Sequence, residues 1–282
     1  MVANTSRPLD NFPLIRSRDV EEVRHCIASI YATPVLVPAG IPEGFDATIN
    51  TCQLHDTGLL YGTFGAALGF EFPPIALFCQ LFPARGKGET TSGNTSSQLS
   101  PEAGAVISSD APHRTQISAD YEHLVLRINA RALTEKLAAM TGAAINEPLR
   151  MEPEQNFKHP AAQMLQRYIP LLVETLSGAD PPFPNWWMAQ TEQLIMTLYL
   201  CGHQHNYSRL LEEEPPDAGS CQVRRAEEYI IANAHQAITL EELAGVTGVS
   251  AFSLFRTFRK HRGYSPFEFL SQVRSKRGGA SS

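Results

Sequence analysis

Apolar positions change their spacing twice along this chain. Between residues 35 and 130 they fall in short runs, DATINTCQL, TGLLYGTFGAALGFEF, PIALFCQLF, GAVISSD and YEHLVLRIN, bounded by Gly, Pro and Ser. Runs of that size between turn formers predict an antiparallel β-region, a sandwich or a barrel. The segment RGKGETTSGNTSSQLSPEAG, residues 85–104, predicts an exposed connection between strands. After Asn129 the spacing becomes helical in ARALTEKLAAMTG, HPAAQMLQRYIPLLVETLSG and NWWMAQTEQLIMTLYLCGHQ, with Met164, Leu165, Tyr168, Ile169 and Leu172 on one face. Of Trp186, Trp187, Met188, Leu194, Ile195 and Leu198, most are expected in the core and a minority at a dimer contact.

The second change follows SRLLEEEPPDAGS, residues 208–220, whose acidic run, Pro pair and Gly predict a linker that no helix continues through. Beyond it, Val223, Ala226, Tyr229, Ile230 and Ala234 mark a helix. Thr239 and Glu242 have capping-box spacing, so a short helix starts at Leu240 with Leu243 and Ala244 on its inner side. Gly248 suits the positive φ of a tight turn, and Ser250 can cap a helix in which Leu254 and Phe258 face inward with Val249. Ser265, Pro266 and Glu268 form a second capping box, leading a helix expected to bury Phe267, Leu270 and Val273.

Charge sharpens this division. The 282 residues are 43 % apolar, enough for a larger and a smaller core, and the net charge is −6. From Gln222 onward nine Lys and Arg stand against five Glu, while the preceding residues hold 14 basic and 24 acidic groups. A basic end on an acidic protein predicts contact between that end and a polyanion. No apolar run is long enough for a membrane helix, and MVANTSRPLDNF lacks the order of a signal peptide, so a cytoplasmic protein without membrane contact is expected. The cysteines, Cys26, Cys52, Cys79, Cys201 and Cys221, are odd in number and form no CxxC, which predicts free thiols.

The helix over 251–260 turns Phe252, Ser253, Arg256, Thr257, Arg259 and Lys260 outward. A short helix, a glycine turn and a basic amphipathic helix together predict a helix-turn-helix whose second helix enters the DNA major groove. Arg256 can pair bidentately with guanine and Phe252 can pack on a thymine methyl, while Arg259, Lys260 and Arg262 suit the phosphate backbone. Ser250, Leu254, Arg256, Phe258, Gly263, Ser265, Pro266, Phe269, Leu270 and Arg274 also stand in the order found in the AraC/XylS transcription regulators, which residues 238–274 resemble. The resemblance implies groove-facing positions at Ala251, Phe252, Phe255 and Arg256, with Phe255 equally suited to the core beside Leu254. For the first half it implies a cupin-like jelly roll with appended dimerisation helices, the stretch Gly104, Val106, Pro112 and His113 being similar to a rim strand of such domains.

The expected architecture is α+β. It has an N-terminal cupin-like antiparallel β barrel with appended helices (residues 1–207, barrel about 35–130, helices about 131–207), a linker over 208–220, and a small all-α helix-turn-helix domain over 221–282. The expected function is transcription regulation as a homodimer, with promoter DNA, a small-molecule effector and RNA polymerase as partners. Members of the resembled family carry a second helix-turn-helix, which this sequence lacks, so it is expected to be shortened after the first. The alternative is a truncated effector-binding or dimerisation protein with impaired DNA binding. Catalysis, cofactor and metal find no motif: there is no GxSxG or HExxH, GKGETTSG lacks the Lys and helix of a phosphate loop, and His55, His113 and His123 stand apart. His203 and His205 form an HxH that is expected to be solvent-exposed at a helix end. The sequence names no effector-binding residues.

Overall fold

The computed structural model describes residues 7–32, 42–152, 157–178, 183–212 and 218–278. In chain order the elements are β1 (Pro13–Ser17), α1 (Val20–Tyr31), β2 (Ala47–Gln53), β3 (Thr57–Thr63), β4 (Leu68–Phe72), β5 (Leu77–Arg85), β6 (Gly88–Ser92), β7 (Thr95–Leu99), β8 (Ala105–Ile107), β9 (His113–Ile117) and β10 (Glu122–Asn129). They are followed by α2 (Ala130–Thr141), α3 (Pro160–Ser177), α4 (Asn185–Gly202), α5 (Ser208–Glu212), α6 (Ala218–Asn233), α7 (Leu240–Thr247), α8 (Ala251–Arg262) and α9 (Pro266–Gly278). Two compact units result. One takes the residues up to Ser208 except Met140–Ala143, and the other takes Met140–Ala143 and the chain from Arg209.

In the first unit the strands form two antiparallel sheets, six strands in the order β1-β2-β3-β10-β5-β8 and four in the order β4-β9-β6-β7. The expected barrel is therefore corrected to a sandwich: the sheets face each other but are not joined into a closed ring. Side chains alternate across a strand, so β10 sends His123, Val125 and Arg127 to one face and Leu124, Leu126 and Ile128 to the other. The first face joins Ile49, Leu60, Cys79 and Leu81 against Leu68, Phe70, Leu99 and Ile117 of the smaller sheet. The second lies under α4, where Tyr199 meets Phe78 with ring centroids 6.4 Å apart and His203 meets Gln80 at 2.9 Å. A sheet covered on both faces explains why β3 and β10 read as unbroken apolar runs rather than alternating ones.

Residues 85–104 also depart from expectation. Instead of an exposed connection they hold the hairpin β6–β7, closed by Gly93 and Asn94 between the paired Ser92 and Thr95, with Gly93 at φ 56°. A glycine with positive φ at the first of two turn positions matches the right-handed twist of the flanking strands. The strands are built of Thr, Ser and Gln, with Thr90 and Leu99 buried, and so carry no apolar signal. Helix α1, absent from the sequence expectation, is capped by Asp19, which accepts from the Glu21 and Glu22 amides, and it buries Val20, Val23 and Ile27.

Along α3 the buried stripe is Ala162, Leu165, Ile169, Leu172, Val173 and Leu176; Met164, expected on that face, is 51 % exposed. On α4, Ile195 and Leu198 are buried, Trp187 and Met188 are half-buried, and Trp186 and Leu194 are exposed. The expected linker is partly helical, since Ser208–Glu212 and the start of α6 fall within 208–220; residues 213–217 lie outside the described residues. A Pro pair stops a helix only at its own position, which leaves the flanks free to form one.

Buried glutamate Glu192 ties the helices to the sheet. One of its carboxylate oxygens accepts the amides of His55 at 3.0 Å, Asp56 at 2.7 Å and Thr57 at 2.8 Å, and the Thr57 hydroxyl at 3.0 Å. His55, Asp56 and Glu192 bring their ligand atoms within 4.8 Å of one another, but four donors already occupy the shared Glu192 oxygen, so the cluster is a turn anchor. Glu192→Ala would leave those turn donors without a buried acceptor. The expected loss is about 3 kcal/mol, a fall in Tm of roughly 6–12 °C, measurable by thermal melts. A Tm within two degrees of the parent would show that water replaces the carboxylate.

In the second unit α6 packs against α7, α8 and α9 around Val223, Ala226, Ile230, Leu243, Leu254, Phe258 and Leu270. The caps are those the sequence encodes. Thr239 and Glu242 close a capping box, Gly248 takes φ 72° at the end of α7, and the Ser250 side chain accepts from the Ser253 amide. Ser265 and Glu268 close the second box at 2.5 and 3.3 Å. Phe267 is corrected: it is 43 % exposed, and Phe269 takes the inner place, stacked on Tyr264 at 6.1 Å and tilted against Phe258. Arg274 reaches back to the carbonyls of Ala234 at 2.8 Å and Gln236 at 2.6 Å, just beyond the end of α6, where a cation is favoured.

Candidate functional site

Two sites stand out, one in each unit. In the second unit the Ser250 cap and the Gly263 turn at φ 77° delimit α8. Leu254 and Phe258 are fully buried, which fixes the rotation of the helix and leaves Phe252 76 % exposed beside exposed Ser253, Arg256, Arg259 and Lys260. Ala251, Phe255 and Thr257 are half-buried, so Phe255 divides its surface between core and solvent. Arg256 has no ion-pair partner among the described residues. Arg262 differs: it forms a two-pronged ion pair with Glu227 on α6, at 2.7 and 2.9 Å, and so straps the end of α8 to the supporting helix.

In the first unit a cavity of about 60 Å³ lies between the two sheets. A single water needs about 15 Å³ and a cavity that takes benzene is about 150 Å³, so the space as it stands holds a few waters and admits a ring only where the surrounding side chains shift. Phe64, Phe70, Phe72, Leu60 and Val125 supply apolar wall, and Tyr31 enters from α1. Polar side chains break this lining: His113 and Thr115 from β9, His123 from β10, and Tyr121 just before it, Thr115 being paired with the Thr90 hydroxyl at 3.0 Å. The Nδ1 atoms of His113 and His123 and the Tyr121 hydroxyl are buried without a hydrogen-bond partner among the described residues. Burial pushes both imidazoles down to about 4 and raises the Tyr121 phenol, so all three groups are neutral. The ring of His113 stacks on Phe72 at 4.7 Å, and that of His123 lies 5.0 Å from Tyr121.

Behind this cavity, Arg127 is buried with its Nη2 on the Thr51 hydroxyl at 2.9 Å and its Nη1 on the Ile30 carbonyl at 3.4 Å. Its guanidinium lies 5.9 Å from the Tyr31 ring centroid. His203 and His205, expected in solvent, are only 2 % and 3 % exposed. His203 is paired with Gln80, and His205 contacts the Leu200 carbonyl at 3.1 Å. Burial pushes His203 down to about 4.

The sequence reading missed the cavity, because its polar wall joins His113 of β9 to Tyr121 and His123 at the start of β10, across two different sheets. The alternation of β10 was its one available signal, placing His123 on the same face as Val125. The free cysteines are as expected.

Residues 23–200 match the family model of the AraC-binding-like domain. The chain is also similar to the "Probable thc operon regulatory protein" of Rhodococcus erythropolis, 27 % identical over 209 residues, which cover 69 % of this chain and 60 % of that protein. The similarity thus spans less than two thirds of that relative. Among solved structures, the AraC-like transcriptional activator CuxR is 18 % identical, with 95 % of this chain and 94 % of that chain covered at a TM-score of 0.46. KdgF from Halomonas sp. is 17 % identical over 32 % of this chain and 83 % of its own, at a TM-score of 0.27. The AraC-binding-like model runs from within α1 to within α4, taking in every strand but β1 together with the cavity residues, and the chain belongs to the AraC family of regulators.

Proposed function

We propose that this chain is an effector-responsive transcription regulator that reads promoter DNA with α8 as the second helix of a helix-turn-helix. The observation that carries the reading is the pairing of a core-locked face, Leu254 and Phe258, with an open face presenting Phe252 and Arg256. Ala251, Phe252, Phe255 and Arg256 lie toward the start of the helix, the part that meets base edges in this mode of docking. Arg259 and Lys260 suit phosphates, with Ser253 and Thr257 at the rim. Arg262 serves the fold through Glu227. A small effector in the cavity between the sheets would supply the regulatory input, and no catalytic step is assigned to the chain. A homodimer would present two α8 helices, and the exposed Met164, Leu171, Trp186 and Leu194 of α3 and α4 are apolar surface for such an association. No described helix is long and apolar enough to cross a membrane, which accords with action on DNA in the cytoplasm.

The test is a salt-graded gel shift on duplexes selected from a random-sequence pool. Phosphate contacts make affinity fall steeply as salt rises. Arg256→Ala is expected to weaken binding roughly tenfold to a hundredfold and to relax preference at one base position. Arg262→Ala is expected to keep DNA affinity and lower stability by less than about 1 kcal/mol, as for a part-exposed ion pair. Equal losses from the two substitutions, or no shift in dilute buffer, would overturn the reading.

A further inference from the structure

The cavity between the sheets restricts what can occupy it. Among the described residues its lining includes no Asp, Glu, Lys or Arg. The nearby cation, Arg127, has its two Nη atoms on Thr51 and on the Ile30 carbonyl near the end of α1; its Nε is buried without a partner among the described residues, but the side chain lies across the Tyr31 ring and is not part of the lining. A charged ligand entering this space would leave water without meeting a counter-charge, at a cost of several kcal/mol. A sugar fares little better, since each of its hydroxyls needs a partner and the lining offers few.

The polar atoms that are present lack something, however. His113 Nδ1, His123 Nδ1 and the Tyr121 hydroxyl are buried and unpaired at one cavity, with His113 7 % and Tyr121 1 % exposed. Each such atom costs about 1–3 kcal/mol if nothing meets it, and native folds seldom gather three in one place. The surrounding Phe64, Phe70 and Phe72 give flat apolar surface, on which a ring can stack.

Building on the reading of this cavity as the effector site, we propose that the effector is a small uncharged aromatic compound, carrying one or two hydrogen-bonding groups of the alcohol, phenol or aldehyde class. Its ring packs among the phenylalanines. Its polar group pairs with Tyr121 or with one of the two histidines.

Three ligands of one shape and different charge provide the test: benzyl alcohol, benzoate and benzylamine, with arabinose as a polyhydroxyl comparison. Binding is measured on the full chain by calorimetry and by the shift in Tm. Benzyl alcohol is expected to bind at millimolar concentration or better, with both charged analogues at least tenfold weaker. Tyr121→Phe and His123→Phe should each weaken it severalfold while the unliganded Tm holds or rises, since each removes a buried polar atom without a partner. Leu60→Trp, which fills the cavity, should abolish binding. If benzoate or arabinose binds more tightly than benzyl alcohol and Leu60→Trp removes that binding, the cavity remains the effector site and the uncharged aromatic class is overturned. Benzoate binding that Arg127→Met alone abolishes would overturn it in favour of an anion. Binding unaffected by Leu60→Trp, or no binding by any of the four, overturns both the ligand class and the use of this cavity.

Discussion

Acidification from pH 6.5 toward pH 4 is expected to destabilise the N-terminal unit steeply, with stability maintained above that window. His113, His123 and His203 are each lowered from 6.5 to about 4, in every case chiefly by burial. Folded, these rings stay neutral down to about pH 4; unfolded, they take up protons near pH 6.5. Between the two values the unfolded chain holds more protons, so stability falls as pH falls, by up to about 1.4 kcal/mol per pH unit for each histidine. Over two pH units that is comparable to the whole stability of a typical domain. Urea melts from pH 7.5 to 4.5 measure the slope, with an expected uptake of two to three protons on unfolding. His203→Gln should reduce the uptake by one proton, and so should His113→Gln. A transition midpoint that does not move across this range would show that the rings are already solvated in the folded state.

Phe258→Ala is expected to unfold the C-terminal unit while leaving the N-terminal one intact. Phe258 is fully buried, lies 6.1 Å from both the Tyr264 and Phe269 rings, and shares its cluster with residues from α6, α7 and α9. Truncating such a side chain costs about 3–5 kcal/mol, and a core of this size supplies no more than that. The variant should lose helical circular dichroism corresponding to α6 through α9 and lose all DNA binding. Small-molecule binding to the cavity should be unchanged. Tm alone would not separate the two units, so the decisive measurement is amide exchange resolved by segment. Protection of Leu254 and Ile230 amides equal to the parent's would contradict the expectation.

Local chemistry made the second unit legible. Thr239, Gly248, Ser250 and Ser265 each act on backbone within four residues, so their roles follow from spacing alone, and each takes the predicted role. Asp19 offered the same signal for α1, followed by Glu21 and Glu22 with Val20, Val23 and Ile27 behind them. Phe267 and Phe269 show where periodicity fails. Lying two residues apart, they fall on opposite sides of α9, and the choice between them is made by Tyr264, which sits outside the helix and stacks on Phe269. His203 was misread for a related reason: its partner Gln80 is 123 residues away in sequence, and nothing local to an HxH reveals it. The sandwich was legible as strands but not as two open sheets, since closure depends on edge pairing rather than on any run of residues. The cavity was illegible because the unpaired polar atoms of His113 on one sheet and of Tyr121 and His123 on the other make no pattern until the sheets are stacked.

Strand β5 carries one more consequence. Cys79 and Leu81 line the cavity, while Gln80 between them points the other way and holds His203 of α4. A slip of one residue would drive the amide in among the phenylalanines and leave a thiol facing the imidazole, so neither surface tolerates it. The strand is thereby denied any sliding motion and can answer pressure only by shifting bodily, like a stiff partition. A displacement of its inner side therefore reaches the helix on its outer side through the contact of Gln80 with His203.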